Sequence, residues 1–126
     1  MDNIMTLQST LKIIFQNGSS EALHNNHFKG KAFITEQLNK ITEKIIKEMN
    51  TKVPGKNIKI KYKCDNNLKV TFQAEKILTK EDKKKIVYTW RSWLEYLDML
   101  ILRKDKFHEK NGDDYLLMVL SDVSEA

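Results

Sequence analysis

The chain has 126 residues, 40% of them hydrophobic and 31% charged, with a formal net charge of +5. That size and apolar content suit one domain with a modest core, and the recurring apolar periods exclude a disordered chain although the charged fraction exceeds the roughly 25% usual in globular proteins. The single cysteine, Cys64, excludes an internal disulfide and cannot build a structural zinc site unless histidines or carboxylates complete it, so a reducing compartment is expected.

The positive charge is concentrated in one part of the chain. Residues 1–51 carry 6 basic and 5 acidic side chains, residues 52–91 carry 12 and 4, and residues 92–126 carry 4 and 8. The middle stretch is therefore net +8 and the last net −4. No charged start leads into an apolar stretch as in a signal peptide, and no apolar run approaches the length that crosses a bilayer. A cytoplasmic protein without membrane contact is the expectation.

In chain order, Ile4, Leu7, Leu11 and Ile14 follow helical spacing and Asn17-Gly18 suits a helix end, which predicts a helix over residues 2–16. Residues 19–32 keep no period and gather Ser, Asn and Gly, so a loop is predicted there. Ile34, Leu38, Ile41, Ile45 and Met49 then advance by four, three, four and four, giving a second helix over 33–50 that stops before Val53-Pro54-Gly55.

The period next changes to two. Ile58, Ile60, Tyr62 and Cys64 alternate with Lys59, Lys61 and Lys63, and after a break Leu68, Val70, Phe72 and Ala74 alternate with Lys69, Thr71 and Gln73. This predicts a hairpin over about 57–75. Turning both apolar sets to one side requires Cys64 opposite Leu68, hence a three-residue loop of Asp65, Asn66 and Asn67 with Asn67 in the left-handed conformation.

Thr79 followed by Asp82 has the form of a capping box and opens a third helix over 79–104. Its apolar line of Ile86, Trp90, Trp93, Leu94, Leu97 and Ile101 is joined from Trp93 onward by Tyr96, Met99, Leu100 and Leu102, more than one face can hold. Asp113 and Asp114 suit a helix start, so the apolar run 115–120 is assigned to a short fourth helix over about 113–121, and the polar tail is expected to fray. The expected fold is a single small α+β domain over 1–126, a two-stranded antiparallel hairpin packed on three to four helices in the order α-α-β-β-α-α.

Two surfaces are candidates for function. The surplus residues Trp93, Tyr96, Met99, Leu100 and Arg103 are of the types enriched at interface centres, so the leading expectation is a non-enzymatic interaction module, such as an inhibitor, adaptor or regulatory subunit. Its partner is another protein or, as a homodimer, a second copy of the chain. The alternative is a nucleic-acid binder that contacts phosphates through Lys59, Lys61, Lys63 and Lys69 of the hairpin, with Lys83 and Lys84 from the start of the third helix. Against it stands the ordinary use of lysines to keep an edge strand soluble and unpaired.

A small enzyme is the third reading, and the residues offer it little. Cys64 lies on an apolar strand face, and no nucleophile, base and orienting group stand in a recognisable pattern. His24 and His27 are three apart, but no third ligand is near and His108 is distant in sequence, so no metal is expected. Lys29-Gly30-Lys31 lacks the spacing of a phosphate-binding loop, and no cofactor is expected.

Overall fold

The computed structural model describes residues 2–15, 20–65, 67–102, 115–119 and 123–125. Its elements are β1 (Ile4–Phe15), α1 (Ser20–Lys52), β2 (Lys59–Cys64), β3 (Asn67–Gln73), α2 (Lys80–Leu102), β4 (Tyr115–Val119) and β5 (Ser124–Glu125). Strands β1, β2 and β3 form an antiparallel sheet with β3 in the middle, and the chain to the end of α2 reads β-α-β-β-α. Strand β4 continues the sheet to the order β2-β3-β1-β4, and β5 also pairs with β1. A β-α-β-β-α-β chain with its sheet in this order is the split β-α-β arrangement called ferredoxin-like, a scaffold shared by unrelated functions.

This corrects the expected α-α-β-β-α-α order with a lone hairpin on three to four helices. The segment read as a first helix is β1, in which Met5, Leu7 and Ser9 are buried while Ile4 on the other side is 46% exposed. A helical face would have buried Ile4 and Leu7 together. The true period of two is concealed because its third core position is Ser9, a polar residue only 1% exposed. Residues 20–32, read as loop, belong to α1 together with the second predicted helix. Read backwards from Ile34 at helical steps, the sequence meets Gly30 and His27 rather than apolar residues, so no period shows there.

The end of α1 and the hairpin follow the sequence closely. Ile34, Leu38, Ile41, Ile45 and Met49 are all buried, and Val53, just past the helix, is buried beneath the turn. Gly55 and Asn57 take positive φ, 80° and 48°, to reverse the chain, a conformation open to Gly and tolerated by Asn. Asn50 fixes the exit: its Oδ1 accepts from Ile58 N–H at 2.7 Å, and its Nδ2 donates to the Ile58 and Ile46 carbonyls at 3.1 and 2.9 Å. Strands β2 and β3 then pair with Cys64 opposite Leu68, Lys63 opposite Lys69, Lys61 opposite Thr71 and Lys59 opposite Gln73, the predicted register.

The loop differs in one respect. Asn67, expected within the loop, is the first residue of β3 and pairs with Thr10; Asp65 N–H donates to its carbonyl at 3.1 Å. Asn66 lies outside the described residues, as do Asn17 and Gly18.

Helix α2 begins as its capping box requires. Asp82 N–H donates to Thr79 Oγ1 at 3.1 Å, and Thr79 N–H donates to Asp82 Oδ2 at 2.9 Å, which, with Lys56 3.5 Å from that carboxylate, holds the Asp82 pKa below its ordinary value. Lys56 also donates to the Ile77 carbonyl at 2.7 Å, so the turn after α1 is tied to the start of α2. Farther along, Ile86, Trp90, Leu94 and Leu97 enter the core, where the Trp90 ring lies 5.9 Å edge-on from Phe72 and 6.2 Å from Tyr62.

The 115–119 segment, assigned to a helix, is strand β4, running from Tyr115 opposite Phe15 to Val119 opposite Leu11. An apolar run of that length suits a strand as well as a helix, and its partner β1 is about a hundred residues away. Within the tail expected to fray, Ser124 and Glu125 pair with Gln8 and Leu7. Asp113 and Asp114 are outside the described residues.

Candidate interaction surfaces

The core line of α2 leaves its neighbouring strip outside. Tyr88, Ser92 and Tyr96 follow each other at four-residue steps, Tyr88 being 76% and Tyr96 41% exposed, with Ser92 Oγ donating to the Tyr88 carbonyl at 3.2 Å. Beside them Trp93 is half-buried against the core, its ring meeting Tyr96 edge-on at 5.7 Å and 90°. Together with Ile41, Lys44 and Glu48 of α1, the residues Ser92, Trp93 and Tyr96 line a groove of about 300 Å³ between the two helices. The Trp93 indole N–H is buried and has no acceptor among the described residues.

Of the expected partner-binding residues, the structure brings Trp93 and Tyr96 together at this groove. Met99 and Leu100 lie in α2, but their side chains and the whole of Arg103 are outside the described residues. Helix α2 packs against β4 as well as α1. Tyr88 was missed in the sequence; its signal is its position eight residues before Tyr96, off the Ile86 to Trp90 core line.

The second surface is the face of the sheet turned away from the helices. The pairings of β1 with β3 and of β3 with β2 stack its outward residues into three rows: Ile4, Gln73 and Lys59; Thr6, Thr71 and Lys61; Gln8, Lys69 and Lys63. The four lysines are exposed, and the Thr6 and Thr71 hydroxyls meet at 3.1 Å, confirming that their residues share this face. No carboxylate and no aromatic ring stands in these rows. At the hairpin tip the Asp65 carboxylate lies 3.6 Å from Lys63, in a pair whose side chains are 67% and 73% exposed, and at the far end Glu75, one step beyond Gln73, accepts from Asn57 at 2.7 Å.

Lys83 and Lys84 do not join this face, because they belong to α2, which packs on the opposite side of the sheet. Cys64 is half-buried, packed against the core. Tyr62 beside it is raised in pKa by burial, an effect lessened by the Thr42 hydroxyl at 3.3 Å. His24 and His27 fall in α1, with side chains outside the described set, and His108 lies outside it altogether; among the described residues no three of His, Cys, Asp and Glu could hold a metal ion. A broad depression bounded by Asp2, Asn3, Lys56, Glu75, Lys76 and Ile77 has several of its polar groups committed already, Lys56 to Ile77 and Asp82, and Glu75 to Asn57 at 2.7 Å.

Comparison with protein-family models, with curated proteins and with solved structures finds no match. Among the described residues no helix is long and apolar enough to cross a membrane.

Proposed function

We propose that the protein is a small, non-enzymatic interaction module of the cytoplasm that binds a protein partner through the outer strip of α2 and the groove it forms with α1. The observation that carries this is the grouping of Tyr88, Trp93 and Tyr96, three aromatic side chains left wholly or partly exposed beside a core that buries Trp90, Leu94 and Leu97. Tyrosine and tryptophan give large contact area for little lost side-chain freedom, and interfaces concentrate their binding energy on such residues. The groove accepts an apolar side chain between Trp93 and Ile41, while Lys44 and Glu48 at its rim offer one charge of each sign to the partner. A second copy of this chain is the simplest partner of that kind, and its presence is read directly from the mass in solution.

The test compares affinity capture from the native host by the wild-type chain and by a Tyr88→Ala/Tyr96→Ala variant, after each has been shown to unfold at the same temperature. Both tyrosines are exposed enough for removal without opening the core. A protein retained by the wild type and lost by the variant supports the reading. Equal retention by both, with a monomeric mass for each, sinks it.

A further inference from the structure

We infer that the open face of the sheet is a second binding surface, one that takes the phosphate backbone of double-stranded nucleic acid through Lys59, Lys61, Lys63 and Lys69. The inference rests on the sheet alone and stands or falls independently of the α2 strip.

Edge protection explains only part of the lysine array. Strand β2 is the edge of the sheet, and lysines are a common device for keeping such an edge from pairing with another chain. Lys69 is different: it stands on β3, an interior strand already paired on both sides, and lies directly opposite Lys63. A lysine there protects no edge and faces a like charge, an arrangement that weakens a sheet. A bound anion removes that penalty by lying across both ammonium groups.

The rest of the face has matching chemistry. Thr6, Gln8, Thr71 and Gln73 are neutral and polar, of the kinds that donate to phosphate oxygens alongside lysine. Successive lysines of β2 are two residues apart, about 6.7 Å at the strand rise, so Lys59 to Lys63 spans about 13 Å, a ruler that suits successive phosphates along one strand. Asp65 does not block it, because so exposed a pair with Lys63 is weak and yields to a phosphate.

The same rows argue for duplex over single strand. Surfaces that hold unpaired bases do so with aromatic rings on which the bases stack, and none of the nine described row positions carries one. There is also no arginine among them to read guanine through a bidentate contact, so the backbone supplies the affinity and sequence preference is weak. With four phosphates neutralised, log K should fall against log salt with a slope of about −3.6, or about 150-fold in affinity between 50 and 200 mM salt.

The experiment is fluorescence anisotropy with a 20-base-pair DNA duplex and with a single strand of equal length, over 50 to 200 mM salt. Three proteins are compared: the wild type, a Lys61→Gln/Lys63→Gln/Lys69→Gln variant, and a Lys83→Gln/Lys84→Gln/Lys85→Gln variant as the control for net charge. The expected result is duplex binding tighter than single-strand binding, a wild-type slope of about −3 to −4, a slope of about −1 for the sheet variant, and no change for the helix variant. Should the triple variant fail to fold, Lys69→Gln alone is expected to lower the slope by about 1. The inference is overturned if the wild type does not bind duplex at 50 mM salt, if the single strand binds more tightly, or if the helix variant loses as much as the sheet variant.

Discussion

The opposition of Lys63 and Lys69 makes a prediction about stability that requires no ligand. Directly opposed side chains start about 5 Å apart at Cβ, and two lysine ends that splay to about 7 Å repel by about 0.6 kcal/mol in water before screening. Lys69→Glu replaces this repulsion with an attraction of similar size, a swing of about 1 kcal/mol, while glutamate and lysine are comparably poor strand formers. For a domain of this size that is a rise of about 3 to 5 °C in Tm. Thermal unfolding at 10 mM salt, where the Debye length is about 30 Å, should show the gain, and at 1 M, where it is about 3 Å, the gain should largely disappear. If Lys69→Glu is neutral or destabilising at low salt, or if its effect ignores salt, the lysines are not in electrostatic conflict and the argument from Lys69 fails.

Substitutions at three further positions probe the frame that holds the two surfaces. Asn50→Ala leaves the Ile58 N–H and carbonyl without their amide partner and should cost about 1 to 3 kcal/mol in urea unfolding. Trp90→Ala empties the centre of the core between Phe72 and Tyr62 and should cost about 3 to 5 kcal/mol, enough to abolish cooperative unfolding in a domain of marginal stability, whereas Trp90→Phe should keep it. The depressed pKa of Asp82 means that its stabilising contribution is full above the unfolded carboxylate value near 3.8 and is lost as pH falls through the lower folded value. The stability difference between wild type and Asp82→Ala should therefore be constant from pH 5 to 7 and shrink below about pH 4, and a difference that persists unchanged to pH 2 contradicts the assignment.

The hairpin was legible because its alternation is clean on both strands, and the demand that both apolar sets face one way leaves a single register. The capping box was legible for the same local reason, since Thr79 and Asp82 need only each other. Strand β1 was not, because burial of Ser9 breaks the apolar alternation while Ile4, Leu7, Leu11 and Ile14 happen to fall at helical steps. A lone hairpin is unstable, which points to a missing strand without saying where it lies. Strand β4 illustrates the converse: five apolar residues fit either period, and only the partner decides. The lysine rows were half legible, since Lys63 opposite Lys69 follows from the hairpin, whereas Gln8 and Thr6 enter only through pairing with residues more than sixty positions away. On α2 the core line was readable, yet surplus hydrophobicity led to Met99 and Leu100 and passed over Tyr88, whose exposure depends on where α1 lies.

A fold with helices on one side of a sheet and an uncovered lysine face on the other presents two surfaces that cannot compete for the same partner. The measurement that separates them is affinity capture from the native host, with and without nuclease, by the wild type, the Tyr88→Ala/Tyr96→Ala variant and the Lys61→Gln/Lys63→Gln/Lys69→Gln variant. A nuclease-resistant protein partner that only the tyrosine variant loses is expected, together with nuclease-sensitive material that only the lysine variant loses. Recovery of the same proteins and nucleic acid by all three contradicts it.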